Sequence, residues 1–321
     1  MLIPCQKCSE PIECTLSGIG GIIRCPACHM LNAFLRKGPD GQLTFGNYKI
    51  IKEVGQGANA IVCKVRHVET GAIRALKLFC AEDLAETHAR KEFFRESQVA
   101  VEFVHPNIVQ VFESGVLDEI PYIVMEYLTG LNLAQLLNEY GCIDQFDGLT
   151  IAIYVLDALD YVWSNFLMIH RDIKPSNIIL DKSGHVKVCD FGMVTGHESA
   201  AVDLDSVEGT PYYLSPECVC EDGHLDNRSD IYSLGASLYH AISGVPPFNY
   251  STLHEVVYAR VKEDPPNLRQ VFPEIHPEIA AIINVMMARN PDDRYFTAQE
   301  CKEDMERVKS GLSPFLHKPQ T

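Results

Sequence analysis

Five short segments between residues 55 and 217 constrain the fold of this chain more than any other feature of its 321-residue sequence. They are, in order, a glycine-rich turn, an Ala-Leu-Lys tripeptide in a β-prone run, the loop HRDIKPSN, an Asp-Phe-Gly tripeptide and a Ser-Pro-Glu tripeptide. A glycine-rich backbone can approach phosphates closely, and Asp and Asn supply the hard oxygen atoms that Mg²⁺ prefers. Alone, the glycine-rich turn is weak evidence, and its place between two β-prone runs argues against a dinucleotide site of the Rossmann type.

The order of predicted elements places strands before helices. Strands are predicted at residues 48–54, 61–67, 73–79, 109–113 and 122–126, with a helix at residues 82–103 between the third and fourth. From Asn132 onward the chain is mainly helical, apart from a loop-rich stretch at residues 169–217, and Thr252 and Thr297 begin two capping-box patterns. This order predicts an α+β fold with a small sheet followed by a larger helical body.

Two cysteine pairs mark the N-terminus. The spacings Cys5-x2-Cys8 and Cys25-x2-Cys28, sixteen residues apart, match a zinc-site pattern, because each turn presents two sulfur atoms to a tetrahedral ion. Short strands are predicted at residues 12–16 and 20–24 around a glycine-rich turn, an arrangement that resembles a zinc ribbon. Four thiolates leave no open coordination position, so a structural Zn²⁺ is expected. Cys14 is interpreted as a core residue or an alternative ligand.

The five segments, in this order, resemble the signature set of the eukaryotic-type protein kinase family over residues 48–308. The sequence DIYSLG at residues 230–235 is similar to that of the bacterial Ser/Thr members. The resemblance implies a bilobal fold, with a β-rich N-lobe and a helical C-lobe, preceded in the sequence by a small zinc ribbon. The predicted domains are a ribbon at 1–36, a linker at 37–47, a kinase domain at 48–309 and a tail at 310–321.

The resemblance also implies roles for individual residues in transfer of the γ-phosphoryl group of Mg-ATP to protein Ser/Thr hydroxyls. The implied catalytic residues are Asp172, Lys174, Lys77 and Glu96. Asn177 and Asp190 are the implied Mg²⁺ ligands. The implied ATP-binding residues are Gly55, Gln56, Gly57, Ala58, Val62, Ala75, Lys77, Met125, Glu126 and Leu128.

Further positions of the resemblance are structural or regulatory. Glu217 and Arg294 match a buried ion pair, Asp230 matches the residue that anchors the catalytic-loop backbone, and Thr210 and Lys174 indicate Ser/Thr specificity. In the loop 190–217, either phosphorylation at Ser199 or Ser206, or acidic residues in place of phosphate, are compatible with the sequence. The acids can also be an ordinary solvated loop.

Charge and cysteine usage limit partners and compartment. Acidic residues outnumber basic ones 43 to 27, for a formal net charge of −16, which argues against binding nucleic acid or anionic membranes through bulk charge. No apolar run has the length of a membrane-spanning helix, and no secretory signal pattern is present. Five of the twelve cysteines lie in the first 28 residues, which favours a metal cluster in a reducing, cytoplasmic compartment over a disulfide framework.

Three questions stay open at the level of sequence. The ribbon can dock a protein partner or regulate the kinase, serve as a passive stabilising appendage, or contact nucleic acid, in that order of preference. A pseudokinase scaffold is the main alternative to an active kinase, although Lys77, Asp172 and Asp190 are all present. A small-molecule kinase on the same fold is disfavoured by the intact segment GTPYYLSPE at 209–217.

Overall fold

The computed structural model describes residues 2–13, 21–37, 41–57, 59–80, 97–191, 195–196, 211–219 and 225–316. The chain divides into two compact units. The first comprises Met1–Val104 and Val109–Leu128, and the second comprises His105–Ile108 and Thr129–Thr321.

The first unit consists mainly of strands, as the sequence predicts. Its strands are β1 (Leu2–Pro4), β2 (Pro11–Glu13), β3 (Gly21–Arg24), β4 (Leu31–Phe34), β5 (Arg36–Lys37), β6 (Leu43–Phe45), β7 (Tyr48–Gln56), β8 (Ala60–His67), β9 (Ile73–Phe79), β10 (Val111–Leu117) and β11 (Ile120–Glu126). The helix predicted at residues 82–103 is described only from residue 97, and residues 97–100 are helical.

The second unit is mainly helical, with short strands. Its helices are α1 (Leu133–Tyr140), α2 (Gln145–Phe166), α3 (Asn227–Ser243), α4 (Leu253–Lys262), α5 (Leu268–Val271), α6 (Pro277–Met286) and α7 (Ala298–Lys309). Its strands are β12 (Gly130–Asn132), β13 (Met168–Ile169), β14 (Ile178–Asp181), β15 (Val186–Val188) and β16 (Thr195–Gly196). Among the described residues, none of the helices is both long and apolar enough to cross a bilayer.

A seven-stranded antiparallel sheet dominates the first unit, in the order β10-β11-β9-β8-β7-β6-β5. The run predicted at residues 73–79 matches β9. The run at 48–54 lies within β7, and the run at 61–67 lies within β8. The predicted linker at 37–47 contains most of the β5–β6 hairpin, so this stretch extends the sheet instead of running free.

The sheet is apolar on one face. Because side chains alternate along a strand, Ile61, Leu76 and Leu78 project to one side and Val62 and Lys77 to the other. The first side is the core of the unit, where Ile61, Leu76 and Leu78 are almost completely buried.

The N-terminal residues form two separate hairpins. The predicted strands at residues 12–16 and 20–24 correspond in part to β2 and β3, but these do not pair with one another around a shared turn. Instead β2 pairs with β1, and β3 pairs with β4. Each hairpin contains one Cys-x2-Cys turn, and residues 14–20, including Cys14, lie outside the described residues.

Helix ends in the second unit follow the capping signals of the sequence. Thr252 caps α4 in a reciprocal capping box with Glu255, as predicted. Thr297 accepts from the backbone N–H of Glu300 and begins α7, but the Glu300 carboxylate accepts instead from the N–H of Phe296. Both predicted helix starts are therefore confirmed, and the second lacks the reciprocal hydrogen bond.

A buried ion pair holds the segment 211–219 to the end of the helical body. Arg294 donates through both terminal nitrogens to the two carboxylate oxygens of Glu217, at 2.7 and 2.8 Å, and Ser229 donates to the same carboxylate at 2.7 Å. The Arg294 side chain is fully buried. Burial raises the pKa of Glu217, but the hydrogen bonds and charge of Arg294, together with Ser229, outweigh burial and lower that pKa below its ordinary value. The sequence-based expectation of this pair is confirmed.

Replacing Glu217 with Gln removes one charge of this pair and should lower the free energy of unfolding by about 3–5 kcal/mol at neutral pH, because it leaves a buried guanidinium uncompensated. Urea unfolding of wild type and variant measures the difference. Folding lowers the Glu217 pKa. The stability that the ionised Glu217 contributes is therefore complete above the ordinary glutamate pKa, and it is lost as pH falls through the lower pKa of the folded state. The difference between the two proteins should therefore be constant near neutrality and shrink in acid.

A matched control is Asp264→Asn, which disrupts a solvent-exposed pair with Arg289 at 4.0 Å. It should change stability by no more than about 1 kcal/mol. Equal effects of the two substitutions would contradict a special role for the buried pair.

Candidate active site

Two side chains of the second unit meet at the carboxylate of Asp172. The ammonium nitrogen of Lys174 lies 2.8 Å from Asp172 Oδ2. Asn177 donates through Nδ2 to the same oxygen at 2.9 Å and to the Asp172 carbonyl oxygen at 2.8 Å. The Asp172 side chain keeps 26% of its surface exposed, so a hydroxyl group from solvent or substrate can reach it.

The backbone around Asp172 is held by His170. His170 is fully buried, its Nε2 lies 3.0 Å from the Cys189 carbonyl oxygen, and its Nδ1 accepts from the N–H of Asp172 at 3.2 Å. These two partners assign the proton of a neutral ring to Nε2, because a carbonyl oxygen can only accept and a backbone N–H can only donate. The Phe191 ring packs edge-on against the imidazole, with centroids 4.5 Å apart.

A second anchor is the buried carboxylate of Asp230, on α3. Its two oxygens accept from the backbone N–H groups of His170 at 2.6 Å and Arg171 at 2.9 Å. Arg171 has φ +65°, an uncommon conformation for a residue with a side chain, and these hydrogen bonds stabilise it. Burial raises the pKa of Asp230, against the opposing effects of His170 and the two backbone donors. The expected anchoring role of Asp230 is confirmed.

Asp190 lies just after β15, next to the chain segment that contains Asn177. The N–H of Cys189 donates to the Asn177 carbonyl oxygen at 3.0 Å, which brings the two segments together. Asp190 itself has φ +63°. Asn177 ends a 3₁₀ turn that begins at Pro175, and its described side-chain donations use Nδ2, so Oδ1 is the atom suited to a cation.

In the first unit, five of the predicted ATP-binding residues share one face of the sheet. Gly55 pairs with Val62 and Val62 pairs with Lys77 across three neighbouring strands. Ala75 is two residues before Lys77 on β9 and pairs with Met125 on β11. Since paired residues and residues two apart project to the same side, the five positions lie together on the face opposite the buried core.

The glycine-rich turn between β7 and β8 leaves room for a ligand. A Cβ atom at Gly55 would meet no atom within 4 Å, and one at Gly57 would meet only the Ala60 carbonyl oxygen at 3.8 Å. Neither glycine is therefore required by the packing of the turn itself. The Gln56 side chain donates to the Leu31 carbonyl oxygen at 2.8 Å, so a nucleotide contact by Gln56 would use its backbone.

At Glu126, the last residue of β11, one backbone group already has a hydrogen-bond partner. The N–H of Glu126 donates to the Gln110 carbonyl oxygen at 2.8 Å, so an adenine contact at Glu126 would use its carbonyl group. Leu128 is the last residue of the first unit.

Several predicted residues lie outside the described part of the chain. They are Ala58, Glu96, Ser199, Ser206 and Thr210, together with the acidic residues Asp203, Asp205 and Glu208.

The four cysteines of the two N-terminal turns come together, with their sulfur atoms all within 4.8 Å of one another. Sulfur–sulfur distances are 3.6 Å for both Cys5–Cys28 and Cys8–Cys25. The two turns have the same backbone form, because Ser9 and His29 each follow the second cysteine with positive φ and donate to the carbonyl oxygen of the first. His29 is a turn residue outside this ligand set.

The protonation of the cysteine cluster is uneven. Backbone N–H groups at Cys8 and Lys7, with neighbouring sulfur atoms, outweigh burial and lower the pKa of Cys5 to about 6. At Cys8, a backbone N–H at Glu10 is outweighed by the neighbouring thiols and burial, which raise its pKa to about 12. A divalent metal that binds thiolates would therefore displace protons from this cluster.

Sequence reasoning missed Asn32, which links the two cysteine turns. Its fully buried side chain accepts from the N–H of Gln6 at 2.9 Å and donates to the Met30 carbonyl oxygen at 2.9 Å. Its Nδ2 also lies 3.7 Å from the Cys5 sulfur. An asparagine in an otherwise apolar short strand was the available signal.

The protein kinase domain family profile matches residues 48–305. The chain belongs to the protein kinase family. Its relatives include a probable serine/threonine-protein kinase of Clostridium perfringens, 33% identical over 273 residues, and PknB of Mycolicibacterium smegmatis, 34% identical over 276 residues. These alignments cover 84% and 83% of this chain, but only 39% and 44% of the relatives, so the chain spans about two fifths of their length.

Solved kinase structures share the fold. The crystal structure of the Mycobacterium tuberculosis PknI kinase domain superimposes with a TM-score of 0.68 at 26% identity, covering 83% of this chain and 98% of that domain. The predicted kinase fold, with a strand-rich N-lobe and a helical C-lobe, is confirmed, as is the resemblance to bacterial Ser/Thr kinases. The first unit contains the N-lobe and the second contains the C-lobe.

Replacing Asp230 with Asn should loosen the backbone at residues 170–171. The amide presents a donor to one of the two N–H groups, and a buried donor without a partner costs about 1–3 kcal/mol. Amide hydrogen exchange across residues 168–173 should accelerate by about 10–100-fold, as measured by mass spectrometry. Asp292→Asn, at a side chain that is 79% exposed, is the control and should leave this exchange unchanged. Unaltered exchange in the Asp230 variant would refute the anchoring role.

Proposed function

We propose that this chain is an active Ser/Thr protein kinase, which transfers the γ-phosphoryl group of ATP to serine and threonine hydroxyls of proteins, including its own. The observation that carries the proposal is the assembly of Lys174 and Asn177 around the accessible carboxylate of Asp172 in a chain of this family. A pseudokinase would be expected to lose one of these groups.

Asp172 is proposed to accept the proton of the substrate hydroxyl or to orient that hydroxyl toward the γ-phosphate. Its hydrogen bonds with Asn177 and His170 fix the loop, while its exposed fraction leaves the carboxylate accessible. Lys174 is proposed to stabilise negative charge on the transferred group. Phosphoryl transfer depends on such positioning and charge neutralisation more than on covalent chemistry, which suits a rigid loop of this kind.

The N-lobe is proposed to bind the nucleotide. Lys77 would contact the α- and β-phosphates and pair with Glu96, and the open glycine-rich turn would cover the phosphates. Val62, Ala75 and Met125 share a sheet face with Lys77 and would contact the adenine.

Asn177 and Asp190 are proposed to hold Mg²⁺, the cation on which this family depends. Their amide and carboxylate oxygens are the hard donors that suit this ion, and Asn177 presents Oδ1 because Nδ2 is hydrogen-bonded. Bound there, Mg²⁺ supplies charge neutralisation for the phosphate oxygens.

Ser/Thr specificity is proposed from Lys174 and Thr210, and Ser199 or Ser206 remain proposed sites of regulatory phosphorylation.

One structural Zn²⁺ is proposed to bind to the four cysteines of the N-terminal turns, because four converging thiolates favour this ion. The proposed ligands are Cys5, Cys8, Cys25 and Cys28. Cytoplasmic location and a docking partner at the ribbon stay predictions from the sequence.

Replacing Asp172 with Asn should abolish most phosphoryl transfer. Loss of a positioned general base typically lowers the rate by about 10²–10⁴-fold. The measurement is transfer from γ-labelled ATP, with Mg²⁺, to the protein itself and to a generic basic substrate, with phosphoamino acid analysis of the product. Asp147→Asn, on the exposed first turn of α2, is the matched control and should retain wild-type rates.

Two outcomes would count against the proposal. Equal labelling by wild type and the Asp172 variant would point to a contaminating kinase, and binding of ATP without any transfer would support a scaffold. Phosphotyrosine as the sole product would overturn the proposed specificity.

The cysteine cluster makes a separate prediction about metal content. Purified protein should contain one Zn²⁺ per chain by elemental analysis, and Cys25→Ser should lose it because Cys25 is a fully buried member of the cluster. Cys142→Ser, at an exposed cysteine of the second unit, should retain it. A wild-type protein that stays metal-free after reconstitution with Zn²⁺ under reducing conditions would refute the site.

A further inference from the structure

The β3–β4 hairpin, residues 21–34, packs on the sheet of the first unit as part of one core. Ile22 and Leu31 are 4% and 1% exposed and belong to the same buried cluster as Ile61, Leu76 and Leu78. The hairpin therefore covers the sheet face opposite the one that carries Lys77. It is an internal part of the N-lobe unit.

Polar contacts join this hairpin to both sides of the glycine-rich turn. Before Gly57, Gln56 Nε2 donates to the Leu31 carbonyl oxygen at 2.8 Å. After it, Arg24 Nη2 donates to Asn59 Oδ1 at 3.2 Å. The turn is thus held at two points by residues that precede the family match.

Backbone contacts reinforce the second attachment. The N–H of Cys80 donates to the Asn59 carbonyl oxygen at 3.0 Å, while the buried Cys80 thiol donates to the Ile22 carbonyl oxygen at 3.5 Å. Cys80 therefore contacts both the turn and the hairpin. These contacts fix the end of the turn that leads into β8.

The same hairpin is connected to the cysteine cluster. Asn32 follows Leu31 on β4, lies 3.7 Å from the Cys5 sulfur through Nδ2, and accepts from Gln6 on the other cysteine turn. Arg24 immediately precedes Cys25, a second member of the cluster. The two hairpin residues that hold the turn, Arg24 and Leu31, are therefore each followed directly by a residue of the cysteine cluster or one that contacts it.

We propose that the β3–β4 hairpin positions the glycine-rich turn for nucleotide binding, so that metal occupancy of the four cysteines and affinity for ATP are coupled. This inference rests on the proposed binding of ATP by the N-lobe. Arg24 is a positioning residue in it, acting on the turn through Asn59 and contacting no nucleotide.

The physical basis is preorganisation of a flexible turn. Two glycines that the packing of the turn does not require leave it with high conformational freedom, which nucleotide binding must otherwise remove. Hydrogen bonds from the hairpin restrict that freedom in advance. Small thiolate-rich hairpins depend on metal for their fold, so loss of metal would release the turn. Coupling of this kind is reciprocal: bound nucleotide must strengthen metal binding by the same factor.

The first experiment measures the dissociation constant of a non-hydrolysable Mg-ATP analogue by calorimetry, using the 321-residue chain in zinc-loaded and chelator-treated forms. Stripping should weaken analogue binding by about 5–150-fold, the usual range for coupled sites. Saturating analogue should strengthen zinc binding by the same factor in a competitive chelator titration. Equal analogue affinity in the two forms would overturn the coupling.

Because stripping can also unfold the hairpin, the second experiment leaves zinc in place. Arg24→Ala, in zinc-loaded protein, should raise KM for ATP and the analogue dissociation constant several-fold while kcat at saturating ATP stays near wild type. Arg24→Lys, which can still donate to Asn59, should restore part of the affinity. Arg66→Ala removes a similar exposed arginine, whose partner is the Gly71 carbonyl oxygen, and should change neither constant.

The outcomes separate this inference from the proposed kinase function. Zinc-loaded wild type that binds no analogue would refute ATP binding itself. Analogue binding that is tight, equal with and without zinc, and unaffected by Arg24→Ala would refute the coupling and leave the kinase proposal intact. Zinc content by elemental analysis and thermal unfolding of each variant show whether an affinity change reflects the turn or loss of the fold.

Discussion

The buried carboxylate of Asp230 is the interaction on which the candidate active site most depends. It holds two consecutive backbone N–H groups, at His170 and Arg171, in a conformation that the chain would not adopt unaided. From there His170 fixes the N–H of Asp172 and the carbonyl group of Cys189, the residue before Asp190. The placement of the proposed catalytic groups thus follows from one charge buried in α3.

The sequence was most informative where chemistry requires particular residues. The Cys-x2-Cys spacing predicted the convergence of four thiols, and family motifs predicted the Glu217–Arg294 pair and the role of Asp230. These predictions succeed because a tetrahedral thiolate cluster or a buried charge tolerates few substitutes. Strand β9 was predicted to the residue because its β-prone run is bounded by turn residues.

Packing between segments was not predictable in the same way. Ile22 and Leu31 look like the core of an independent mini-domain, and only the structure shows them in contact with the kinase sheet. The polar composition of residues 37–47 favoured a linker, so it gave no indication that β5 and β6 pair. Asn32 stands out only as a polar residue in an apolar short strand, and its role could not be predicted because it depends on two turns that lie far apart in sequence.

The seven-stranded sheet also has a consequence for how this protein can be divided into fragments. The family match begins at Tyr48, yet β5, β6 and the β3–β4 hairpin complete the sheet edge and cover its apolar face before that residue. A fragment cut at the family boundary would expose Ile61, Leu76 and Leu78 to water, together with an unpaired strand edge, which are the features that promote aggregation. The part of the sequence that defines the family is therefore shorter than the part that completes this sheet and shields its apolar face.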